Sequence, residues 1–79
     1  MKLLTYLDRY LTYNDYKITI SSEGIHIMNY VEVVDFSNTK VVIRYDGGIN
    51  VFYGKDLVIS KLLDDELVIT GKLFRLEYN

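Results

Sequence analysis

The sequence predicts a mainly β fold, a small antiparallel β-sandwich or partly open barrel of about seven short strands with one short N-terminal helix. Three observations carry the prediction. From Lys17 onward apolar residues recur at every second position, the period of a pleated strand with one face in a core. Polar or glycine-bearing turns interrupt them at intervals of roughly 10–14 residues. The first sixteen residues carry a helical spacing instead.

In that first stretch Leu3, Leu7 and Tyr10 lie on one helical face, Leu4 and Leu11 sit close to it, and neither proline nor glycine intervenes. Residues 1–16 are therefore expected to form an amphipathic helix ended by Asn14 and Asp15. A helix of about 12 residues is marginal alone in water, so it persists only by docking its Leu/Tyr face. Residues 17–79 are expected to form a single all-β domain. Ile18 and Ile20, Ile25 and Ile27, and Val31 and Val33 mark three strands, with Ser21 to Gly24 and Ser37 to Thr39 as connections. Asp46-Gly47-Gly48 separates Val41–Tyr45 from Ile49–Tyr53, both rich in β-branched and aromatic residues, and predicts a tight hairpin. The pattern of Val41–Arg44 returns at Leu57–Ser60 and Leu67–Thr70, at spacings of sixteen and then ten. So irregular an interval describes similar strands of one sheet system, not a solenoid. Lys72 to Tyr78 is the last strand, with Phe74, Leu76 and Tyr78 on one face and Arg75 and Glu77 on the other.

With 79 residues, 49% of them apolar, the chain is one domain near the size at which a single core only just outweighs chain entropy. Without cysteine, and with one histidine, it has neither disulfides nor the usual zinc constellations, so packing must hold it. No secretory signal is read, because Asp8 and Arg9 follow Leu3-Leu4 too soon. Apolar runs such as Val41–Ile43 fall far short of a transmembrane segment. A soluble, intracellular protein is expected.

Ile43, Ile49, Val51, Ile59 and Ile69 are expected on one sheet face. The other would alternate Val42, Phe52, Val58 and Val68 with Arg44, Asn50, Ser60 and Thr70, a face too apolar for bare water. Burying one such side chain is worth roughly 1.5–3 kcal/mol, so four are a large term beside a net stability of about 5 kcal/mol or less. Either the N-terminal helix or another protein chain should cover that face. Eight tyrosines, each offering wide contact area with a polar tip, also suit an interface. Tyr45, Tyr53 and Tyr78 are assigned to cross-strand packing, while Tyr6, Tyr10, Tyr13, Tyr16 and Tyr30 are interface candidates.

No reactive constellation emerges. His26 alternates with Ile25 and Ile27 and has no second histidine or cysteine with which to build a metal shell or nucleophilic dyad. Asp64-Asp65-Glu66 lacks the alternating ligands and the glycine of a calcium loop and reads as a solvated turn. Gly47-Gly48 and Gly54-Lys55 fit no phosphate loop. Nine Lys and Arg against eleven Asp and Glu give a formal net charge of −2, which argues against general nucleic-acid binding. No catalytic residue, metal or cofactor is assigned.

The strand segments Ile18-Thr19-Ile20, Ile27–Tyr30, Val41–Arg44, Ile49–Ile59 and Leu67–Leu73 resemble the YabP/YqfC family of endospore-formation proteins, and its YqfC-like branch more closely. The most telling part is Gly-x-x-Leu-x-Ile at Gly54, Leu57 and Ile59, followed by Ile-x-Gly-x-Leu at Ile69, Gly71 and Leu73, and an aromatic end at Tyr78. The resemblance covers about residues 17–78. It implies a role in spore formation, in the mother-cell cytoplasm of an endospore-forming bacterium, often beside a membrane-protein partner, with no enzymatic activity or cofactor. The expected function is a non-enzymatic interaction or assembly module of spore-envelope formation. It would contact itself or another sporulation protein through Tyr6, Tyr10, Tyr13, Tyr30, Val42, Phe52, Val58 and Val68. The alternative is a small β-barrel binding single-stranded nucleic acid or a small ligand.

Overall fold

Period-two alternation becomes strand pairing throughout residues 16–78, the part of the chain that the computed structural model describes. The strands are β1 (Lys17–Ser21), β2 (Gly24–Met28), β3 (Glu32–Phe36), β4 (Lys40–Tyr45), β5 (Gly48–Leu62) and β6 (Glu66–Tyr78). They form one open antiparallel sheet in the order β1-β2-β6-β5-β4-β3. The mainly β, antiparallel expectation holds. The strands number six because Ile49–Tyr53 and Leu57–Ser60 run on as β5, and Leu67–Thr70 and Lys72–Tyr78 as β6. The helix expected over residues 1–16, and with it Tyr6, Tyr10 and Tyr13, lies outside the described residues apart from Tyr16.

Between those paired segments the long hairpin bends instead of ending. The β5–β6 register shifts between Tyr53 and Gly54, between Lys55 and Val58, and between Ile59 and Lys61. Such bulges sharpen twist and bend a strand. Close backbone approach explains the glycines. A Cβ on Gly54 would sit 2.1 Å from the Lys72 carbonyl oxygen, and one on Gly71, whose φ is +120°, would sit 2.5 Å from that of Asp56. Thus the two glycine motifs separated in sequence meet at one place, the crossing of β5 over β6. Asp56 is itself left-handed with φ 55°. The Gly54 and Leu57 amides bond to the Thr39 and Asn38 carbonyls at 3.0 and 2.9 Å, tying the bend to the turn before β4.

The bend lets the sheet curl over its own inner face. β2 and β4 are three strand positions apart, about 14 Å in a flat sheet. Yet Ile25 and Ile27 of β2 share a single buried cluster with Val41 and Ile43 of β4, together with Phe52, Leu57, Leu67 and Ile69. The curl also brings the ends of β6 towards each other. A straight β6 would hold Glu66 and Tyr78 roughly 40 Å apart. Tyr16, next to the Lys17–Met28 pair that adjoins Glu66, instead donates a 2.7 Å hydrogen bond to Oδ1 of Asn50, the strand partner of Tyr78.

One face assignment is corrected. The hairpin turns on two residues, with Tyr45 opposite Gly48, so Val41 faces Phe52 and Ile43 faces Asn50. A three-residue reading of Asp46-Gly47-Gly48 shifts that register by one and inverts every side chain of the first half of β5. Phe52 is therefore wholly buried in the core, and Asn50 with it, whereas Val51 lies beside Val42 on the outer face. Ile59 and Ile69 do face inward, and Val58 and Thr70 outward.

Candidate interaction surface

Because β5 is longer than its neighbours, part of it has one partner only. β4 pairs with Gly48–Tyr53, so among the described residues the stretch Val58–Leu62 pairs with β6 alone and leaves its other backbone edge open. Val58 and Leu62 are 52% and 57% exposed. Their strand ends in the turn before β6, closed by the Leu63 amide bonding to the Glu66 carbonyl at 2.7 Å.

A second segment seats against that turn. The Tyr30 hydroxyl donates to the Leu63 carbonyl, and the Asn29 amide bonds to the Asp65 carbonyl. Asn29 turns the chain with φ 62°, a left-handed value that asparagine tolerates. The result is a tip on which Val31 and Leu63, each about half exposed, flank half-buried Tyr30, with Asp64 and Asp65 beside them. Burial, and then the charges of Asp64 and Asp65, push the Tyr30 hydroxyl above its ordinary pKa, so it stays protonated and donating at neutral pH. The free edge carries Val58 on the outer face and Leu62, the partner of buried Leu67, on the inner face, and it runs into the tip of Leu63, Tyr30 and Val31; edge and tip together make up one strip.

The outer face next to the strip is polar. His26 Nε2 donates to Glu66 Oε2, and Lys61 Nζ lies 3.7 Å from Glu66 Oε1, above a shallow depression of about 390 Å³ that also includes Thr19, Ser21 and Val68. The His26 hydrogen bond, followed by the Lys61 charge, outweighs burial and holds the Glu66 carboxyl below its ordinary value. These are surface ion pairs that fix the outer face of β2, β5 and β6. Among the described residues no group of three or more His, Cys, Asp or Glu is placed to hold a metal ion.

The sequence-based candidates separate accordingly. Tyr30 and Val58 fall on the strip, and half-buried Val68 borders it on the outer face opposite Lys61. Val42 is half-buried on the outer face of the other half of the sheet, away from the strip. Phe52 is in the core and is no surface residue. Tyr16 is engaged internally, stacked on Tyr45 with ring centroids 4.1 Å apart. Tyr53 lies under the Arg75 guanidinium at 4.3 Å, as expected of a packing residue, while Tyr78 is 69% exposed. Val31, Leu62 and Leu63 were not singled out from sequence. The available signal was Leu62-Leu63 set directly against Asp64-Asp65, since consecutive leucines at a polar turn cannot both turn inward.

Compared with known proteins, residues 13–79 match the YabP family model. The match does not single out a YqfC-like branch. No curated protein and no solved structure matches the chain.

Proposed function

Because the chain belongs to the YabP family, we propose that it is a non-enzymatic interaction module of spore-envelope assembly, joining a second copy or another sporulation protein through the strip on β5 and the adjoining tip. Membership of the family is consistent with a sporulation-associated protein. The observation that carries the proposal is the open β5 edge lined by exposed Val58 and Leu62 and continued by Val31 and Leu63. An unpaired edge supplies main-chain hydrogen bonds to an added strand, and apolar side chains on both faces beside it supply the burial. The four residues are about half exposed, so covering what remains is worth on the order of 3–6 kcal/mol, at the low end of the range of about 4–15 kcal/mol that association itself costs. The side chains alone therefore give a weak contact, and the strand edge adds what makes it specific. Lys61, half exposed on the same stretch, discourages unselective edge pairing.

In this reading the protein works in the mother-cell cytoplasm, where a membrane protein is one candidate partner. No helix of the described residues is long and apolar enough to cross a membrane. The test is sedimentation over a concentration series together with co-purification from sporulating cells, for the natural chain and for Leu62→Asp. The natural chain is expected to self-associate or retain a partner, and the variant to lose that contact with its folding midpoint unchanged. A natural chain that stays monomeric and partnerless in both experiments overturns the proposal.

A further inference from the structure

β1 and the later part of β5 are the two borders of one half of the sheet, in the order β1-β2-β6-β5. β1 pairs with β2 alone, so among the described residues its other backbone edge is as open as that of Val58–Leu62. Pairing lines the residues of this half into rows across the strands. Ile20, Ile25, Ile69 and Ile59 form one inner row, and Ile18, Ile27, Leu67 and Leu62 form the next. The middle two residues of each row are buried, whereas Ile20 at one border is 53% exposed and Leu62 at the other is 57% exposed. The core rows therefore run out to the surface at opposite borders of the same half-sheet.

We infer that a second copy of this chain continues those rows, its β1 adding head to tail to the open stretch of β5. The inference rests on the reading of the strip as an interaction surface and names what fills it. Strand direction agrees. Every neighbouring pair is antiparallel, so β5, the fourth strand, runs opposite to β1, and the β1 of a copy in the same orientation meets β5 antiparallel. Register agrees as well. Ser21, Ile20, Thr19 and Ile18 of the added copy stand opposite Val58, Ile59, Lys61 and Leu62, as Thr70, Ile69, Val68 and Leu67 already do from the other side. Inner residues then meet inner ones, and outer meet outer. Pairing of β5 with itself fails that condition. The register shift between Ile59 and Lys61 changes the alternation, so a two-fold axis at Ser60 sets outer Val58 against inner Leu62 and inner Ile59 against outer Lys61. Charge favours the same neighbour, because exposed Lys17 comes opposite Leu63, next to exposed Asp64 and Asp65. Four strands per copy give a repeat of about 19 Å. The contact is heterologous, so each addition leaves a new open β5, and sheet twist winds the series into a helix.

The absence of native cysteine makes the test direct. Ser21 and Val58 are both exposed, and within one chain they stand three strand positions apart, about 14 Å, beyond disulfide reach. Directly opposed across two chains they come within it. The full chain carrying both Ser21→Cys and Val58→Cys, oxidised with diamide, should give a ladder of covalent oligomers. An equimolar mixture of the two single-cysteine chains should give the mixed dimer well above its share in random pairing. Without oxidant, the mass of the natural chain in sedimentation should rise with concentration past that of a dimer, and Leu62→Asp should hold it at the monomer. A mass that levels off at the dimer, or an excess of the Val58→Cys homodimer, would overturn the inference. So would a natural chain that is monomeric yet retains a partner that Leu62→Asp releases, a result that leaves the proposed function standing. A chain both monomeric and partnerless overturns the two together.

Discussion

Asn50 is wholly buried, and a buried amide must find partners or weaken the fold. Its Oδ1 accepts from the Tyr16 hydroxyl, and its Nδ2 donates to the carbonyls of Ile49 at 3.3 Å and Glu77 at 3.5 Å. Burial, with Tyr45 and Tyr78 nearby, raises the Tyr16 pKa, so the donor proton is retained at neutral and moderately alkaline pH. Tyr16→Phe keeps the stack and deletes that donor. It should cost about 1–3 kcal/mol in urea unfolding, the penalty of stranding a buried acceptor. Glu66 gives a prediction in pH. Its carboxyl is held below the ordinary 4.5 chiefly by the His26 hydrogen bond. The native state therefore binds that proton less readily than the unfolded state, and the contribution is complete above pH 4.5 and lost as pH falls through the depressed value. Glu66→Gln should flatten this part of the acid-unfolding curve. A wild-type curve identical to that of the variant would show that the bond adds nothing.

At the level of elements, the decisive feature is the crossing in the long hairpin. Gly54 and Gly71 fall between strand segments in the sequence, but neither ends a strand. Their work is to let two backbones approach closer than any Cβ permits. Gly71→Ala combines a positive φ with a clash against backbone oxygen, so a loss of at least about 1–3 kcal/mol is expected, read as a lowered thermal midpoint. Gly54→Ala should behave alike, because its obstacle is also a carbonyl and not the end of a flexible side chain. The periodic pattern locates the strand segments on each side of the crossing. It does not say whether a glycine between them stops pairing or bends it, since that depends on what lies across the sheet.

Over the whole molecule, one continuous sheet supplies both walls of its core. Phe52 lies at the centre, so Phe52→Ala should cost about 3–5 kcal/mol. That is comparable to the entire stability of about 5 kcal/mol or less available to a domain of this size. Circular dichroism should find the variant largely unfolded, whereas Val58→Ser, on the open edge, should stay within about 0.5 kcal/mol of the natural chain. Phe52→Ala tests the hairpin register directly, because a one-residue slip would exchange inner and outer residues along the first half of β5, whereas Val58 faces outward in either register. Of the candidate surface, Tyr30 and Val58 were visible in the sequence; Leu62 and Leu63 became visible once β5 was seen to run past its β4 partner to the turn before β6. By itself the sequence determined a mainly β, antiparallel protein and the positions of its strand segments, because side-chain alternation and turn chemistry are local properties of neighbouring residues. Tertiary structure alone decided that the segments join into six strands, that Phe52 points inward, and which edges stay open. Those outcomes depend on a one-residue choice at a turn and on contacts between glycines and carbonyls far apart in the chain, and a local pattern holds no record of either.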